Sequence, residues 1–126
     1  MAQTIITTSL PTVIALTASQ NGDKDGTNSI DGVTVGTKGA RVHVAVSIIE
    51  DVAAGQILRV FLNDGTLKTR LAAFRLPYLK VAEDTSEPTL IPVPGSPFAV
   101  GASMKLCYNI TANNNIRVHE TVDLYA

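Results

Sequence analysis

The chain has 126 residues, 45% of them apolar and 17% charged, with a formal net charge of −1. That length suits one domain spanning residues 1–126, large enough to bury a core without disulfides or metal. Near-neutrality and ten dispersed Lys and Arg residues exclude a nucleic-acid coat, which draws its affinity from many cations on phosphates. The Val, Ile and Leu content likewise excludes disorder.

Helical periodicity is nearly absent, and Thr, Val and Ile supply a little under a third of the residues. Such β-branched side chains favour pleated, half-buried strands. Thr4–Thr8 and Thr12–Ala18 read as strands broken at Pro11. Residues 1–10 also read as an interaction arm, because Ile5, Ile6 and Leu10 have no obvious place in a compact core. The segment lacks Lys or Arg before Lys24 and does not read as a signal peptide. No apolar run is long enough to span a membrane, so no membrane partner is expected. Ser19–Gly32 reads as a polar loop, Val33–Gly36 as a short strand, and Thr37–Gly39 as a turn.

Arg41–Ile49 alternates with period two: Val42, Val44, Val46 and Ile48 share one face, and Arg41, His43, Ala45 and Ser47 the other. Glu50–Ala54 is a helical turn or a loop. Gln56–Leu62 places Leu58, Val60 and Leu62 together, with Ile57, Arg59 and Phe61 opposite. Asn63-Asp64-Gly65 carries the Asp-Gly hairpin signal, so Thr66–Leu76 returns antiparallel; a helix over Leu67–Leu76 is the competing reading. Residues 77–97 hold five of the six prolines and should form an extended connection with at most edge strands. Ser103–Thr111 alternates again, with Met104, Leu106, Tyr108 and Ile110 inward and Lys105, Cys107 and Asn109 outward. After a turn at Asn113–Asn115, Ile116, Val118, Val122 and Leu124 share the inward face of a last strand, with Glu120 the exception. Spacing and alternation together predict an all-β fold: a two-sheet antiparallel β-sandwich, jelly-roll-like, with little or no helix.

Catalysis needs titratable groups that converge, and this sequence does not advertise any. His43 and His119 fall on polar strand faces, as solvated residues or as a pair if their strands are neighbours. Cys107 is the only cysteine, with no base beside it, and reads as an unreactive thiol. No nucleophile elbow, phosphate loop or zinc motif occurs. Asn21, Asp23, Asp25 and Gly26 match the first half of a calcium loop, but Gly32 stands where the closing Glu belongs. An ordinary hydrophilic turn explains the same residues. No catalytic, cofactor-binding or metal residue is therefore assigned, and no enzyme is expected. Low charge density suits protein contact instead, with Phe61, Phe74 and Tyr78 joining Ile5, Ile6 and Leu10 as candidate interface residues.

Ala40-Arg41-Val42, Val46-Ser47-Ile48 and Leu58-Arg59-Val60-Phe61-Leu62-Asn63-Asp64-Gly65 resemble the small β-sandwich capsid decoration, or cement, proteins of tailed bacteriophages. Phe98-Ala99-Val100-Gly101-Ala102-Ser103-Met104-Lys105-Leu106 is similar to an element before their last strands. The resemblance covers roughly residues 39–110, and the Asp/Asn loop and the proline-rich stretch depart from it. It implies a non-enzymatic structural protein of the virion, made in the host cytoplasm. Its partner would be the major capsid protein or another virion protein, and it would be a homo-oligomer, with a trimer favoured. A tail, fibre-base or head-fibre component and a carbohydrate-binding β-sandwich remain the alternatives; the absence of Trp counts against the latter.

Overall fold

A computed structural model describes residues 5–8, 12–17, 20–48, 56–76, 90–111 and 116–125. The alternating segments become ten strands: β1 (Ile5–Thr8), β2 (Thr12–Leu16), β3 (Ile30–Asp31), β4 (Ala40–Ile48), β5 (Ile57–Asn63), β6 (Lys68–Arg75), β7 (Ile91–Pro92), β8 (Phe98–Val100), β9 (Lys105–Ile110) and β10 (Ile116–Tyr125). No helix occurs among the described residues. The strands form two antiparallel sheets packed on each other, a β-sandwich.

In the first sheet β10 is central. β4 pairs along one side of it, from Ile116↔Ile48 to Leu124↔Ala40. β2 and then β1 pair along its other side, with Val118↔Ile14 and Thr8↔Asp123 in register. β7 and β8 follow one another along the far side of β4. The second sheet runs β3-β9-β5-β6. Its β5–β6 hairpin turns at Asn63-Asp64-Gly65, where Gly65 takes φ +96° and Asp64 Oδ1 accepts the Thr66 and Leu67 amides. A positive φ costs glycine nothing, which is why the Asp-Gly pair marks the turn. β6 is a strand throughout, so the helical reading of Leu67–Leu76 falls.

Every second residue of β4, β5, β9 and β10 points into the space between the sheets. Val42, Val44, Val46, Leu58, Val60, Leu106, Ile110, Val118 and Val122 are all buried there, and Leu62 packs against them from the margin. These are the core residues that the alternation selects. Burying one such side chain stabilises the fold by roughly 1.5–3 kcal/mol, and together they hold the sheets face to face.

One expectation needs correction. Val33–Gly36 is not a strand; the short strand is β3, inside the segment read as loop. The chain around residues 32–35 still follows β9, with Gly32 N–H donating to Leu106 O and Val35 N–H to Met104 O. Beyond Asp31, however, β3 has no further ladder pair with β9. β6 returns antiparallel as expected, and its register with β5 slips by one residue at Leu71, between Arg70↔Phe61 and Ala72↔Val60. Ile5–Thr8, read as a strand within a possible arm, pairs its backbone with β10 in the first sheet. The readings of Glu50–Ala54, Asn113–Asn115 and residues 77–89 lie outside the described residues.

Candidate functional site

Along β5 and β9 the outer face of the second sheet is largely covered. Arg59, Phe61 and Asn63 from β5 stand beside Lys105, Cys107 and Asn109 from β9, with Phe61 paired to Cys107. The segment 20–32 crosses this face as a strap. Asn109, fully buried, donates its amide to Asp23 O at 2.8 Å and to Thr27 O at 2.9 Å. Arg59 Nη1 donates to Gly22 O at 3.0 Å, and Lys68 Nζ donates to Ser29 Oγ at 2.7 Å. Under the strap Phe61 and Cys107 reach zero exposure. Phe61 shares its face with Arg59 as the sequence implies, yet it is covered and offers no contact surface. Burial pushes the Cys107 thiol up, away from the reactive thiolate.

The same hydrogen bonds describe the calcium-like loop. Thr27, through its hydroxyl and its amide, holds the Asp25 carboxyl below the usual range. Asp23 Oδ1 accepts the Lys24 amide, and the carbonyls of Asp23 and Thr27 are taken by Asn109. Among the described residues no three His, Cys, Asp or Glu side chains converge as metal ligands. The loop's backbone carbonyls are engaged in fastening it to the sheet, and its carboxylates bond the loop's own amides and hydroxyl.

Between the sheets lies one carboxylate, Glu120 on β10, at 1% exposure. Its Oε1 accepts the Val33 amide at 2.8 Å, and its Oε2 accepts the Tyr108 hydroxyl from the opposite sheet. Burial raises the Glu120 pKa against the opposing pull of those two donors. Burial and the facing carboxylate raise that of Tyr108. Gly32 closes the site: any Cβ there would collide with the Glu120 carboxylate. The exception to the apolar pattern of β10 is thus a satisfied polar clamp joining both sheets to residues 32–33.

The outer face of the first sheet carries the remaining chemistry. β4 and β10 are neighbours, and both His43 and His119 point outward from them. Ala45 stands opposite His119, and Thr121 opposite His43, so the imidazoles are diagonal neighbours. His43 Nε2 donates to Asp123 Oδ2 at 2.8 Å, and Arg41 Nη2 reaches the same oxygen at 3.3 Å. His119 Nε2 and Ser47 Oγ share a hydrogen bond of 2.7 Å, and partial burial lowers the His119 pKa. Both histidines line a groove of about 340 Å³ with Ala45, Thr121, Leu90 and Pro92. The paired reading of the histidines thus has its geometry, though each imidazole is tied to a different partner. Among the described residues no carboxylate bonds the His119 ring, so Ser47 and His119 stand there as a pair.

Of the other sequence candidates, Phe74 is half-buried and packs against the core, which reduces what it can offer a partner. Leu10 and Tyr78 lie outside the described residues. Sequence reasoning missed Val13 and Leu90, exposed at 54% and 52%. The outward parity of Val13 in β2 was the available signal. Comparison with known protein families, curated proteins and solved structures yields no match to this chain.

Proposed function

We propose that this protein is a non-enzymatic structural component of a tailed-phage virion, a decoration or cement protein that reinforces the head shell. The observation that carries the reading is a β-sandwich whose surface bears exposed large apolar side chains, Val13, Leu67, Leu71 and Leu90. A surface poor in charge suits protein contact, because the buried centre of an interface is depleted of charged residues. The segments that resemble decoration proteins fall on β4, on β5 with the turn after it, and on β8 through the start of β9, strands drawn from both sheets. Repeated modest contacts would reinforce a symmetric shell without any single one being tight, and a symmetric oligomer, a trimer by the resemblance, would match a shell axis.

The test is co-sedimentation of the purified protein with undecorated shells assembled from the major head protein of the same genome, alongside light scattering of the free protein. Saturable sedimentation with shells is the expected result. Monomeric protein that ignores shells and binds glycans on an array would replace this reading with a carbohydrate-binding one. Deleting residues 1–10 removes β1 and should weaken assembly while the β-sandwich persists. Loss of folding would make β1 indispensable to the sandwich and end its reading as an arm.

A further inference from the structure

Resting on the decoration reading, we infer that the outer face of the first sheet is the surface that meets the shell, and that it receives an acidic, apolar-tipped protrusion of the shell protein. The register lays this face out in rows. Val13, His119, Ala45 and Pro92 form one continuous row across β2, β10, β4 and β7. Ala15, Arg117 and Ser47 form the next row on one side, and Thr121 with His43 the next on the other. The floor is made of small side chains, so a partner can approach the sheet closely. Val13 and Leu90, each more than half exposed, stand as apolar rims beside the groove. A volume of about 340 Å³ takes one or two side chains of a protrusion.

Charge selects the occupant. Arg41, His43, Arg117 and His119 all belong to this face. Its one carboxylate among the described residues of β4 and β10, Asp123, is 7% exposed and already held by Arg41 and His43. Among these residues that leaves Arg117 as the cation with no carboxylate on it, so β4 and β10 give the face a net positive charge and its complement is anionic. A second copy meeting this face through a two-fold axis would bring the same net positive charge and a carboxylate already held by its own Arg41 and His43, which disfavours that occupant. The apolar rims ask for an aliphatic tip beside the acid, the mixture of apolar centre and polar rim that protein interfaces use.

Shell co-sedimentation of four proteins tests this: wild type, Val13→Asp, Arg117→Glu and, on the outer side of the second sheet, Arg70→Glu. Melting curves confirm that each variant folds, and Leu90→Asp replaces any first-sheet variant that does not. Wild type and Arg70→Glu should bind alike and lose affinity as salt rises, whereas Val13→Asp and Arg117→Glu should each bind roughly tenfold more weakly or worse. If all four bind alike, or only Arg70→Glu fails, the assigned face is wrong and the decoration reading stands. If wild type binds no shells, the decoration reading fails and takes this inference with it. If Val13→Asp or Arg117→Glu converts a free oligomer to monomer without changing shell binding per copy, the face belongs to a second copy and the inference is overturned.

Discussion

Glu120 and His119 are neighbours in sequence, point to opposite faces of β10, and impose opposite pH dependences. The fold raises the Glu120 pKa above its ordinary value of about 4.5. The native chain therefore keeps a proton that the unfolded chain gives up, and this contribution to stability is complete below about pH 4.5 and lost as pH rises toward the raised value. His119 is shifted down from about 6.5, so its contribution is complete above that pH and lost on acidification through the lowered value. Urea unfolding at a series of pH values should show Glu120→Gln losing the first slope and His119→Gln the second; an unchanged profile in either variant would contradict the assignment. Glu120→Ala strands the Tyr108 hydroxyl and the Val33 amide in the core and should cost about 3 kcal/mol at neutral pH. Val44→Asp places a carboxylate where no donor waits, and a loss of roughly 3–5 kcal/mol should leave circular dichroism without a cooperative transition.

At the scale of elements, Asn109 fastens the 20–32 strap to β9. Asn109→Ala should free the strap and leave the sandwich folded. Hydrogen exchange should then quicken over residues 22–29, and Cys107 should become open to alkylation by a neutral maleimide; an equally shielded thiol would mean that the strap is held elsewhere. Calcium added to the chelator-treated protein should barely shift the melting temperature, since the loop oxygens already serve Asn109, Thr27 and Lys24, whereas binding to the native state would raise it. A rise abolished by Asp23→Ala with Asp25→Ala would turn the strap into a calcium site. The long strands were legible because Val42–Val46 and Ile116–Val122 alternate against a single buried space. The strap was not, because Asp, Asn and Gly at positions 21–32 obey turn chemistry whether or not they cover anything. A trace of it was present: β9 carries Cys107 and Asn109 opposite Leu106 and Tyr108, and β5 carries Phe61 opposite Val60. Strands with such side chains on both faces belong to sheets covered on both sides. The slip at Leu71 left no such trace, since a bulge depends on what the neighbouring strand offers. At a sheet edge it also has a use, because bulges and the cations Lys68, Arg70 and Arg75 on β6 discourage pairing with stray strands.

For the molecule as a whole, the histidine groove was half legible: alternation put His43 and His119 on polar faces, but only the pairing of β4 with β10 makes them neighbours. That pairing joins residues far apart in sequence, as does every pair that β10 makes with β1 and β2. Folding dominated by such distant pairings falls in the slow range of milliseconds to seconds, and stopped-flow refolding monitored by circular dichroism should find it there. A chain ending at residue 111 should show no cooperative unfolding, because β1 and β2 lose the strand they pair with and β4 keeps only the short β7 and β8. A ribosome makes the partners of the first sheet in the least convenient order, edge strands early and the central strand late. Until Ile116–Tyr125 emerges, the nascent chain holds β1, β2 and β4 without their common neighbour. An interrupted translation product therefore lacks the strand that unites the first sheet and cannot pass for the folded protein.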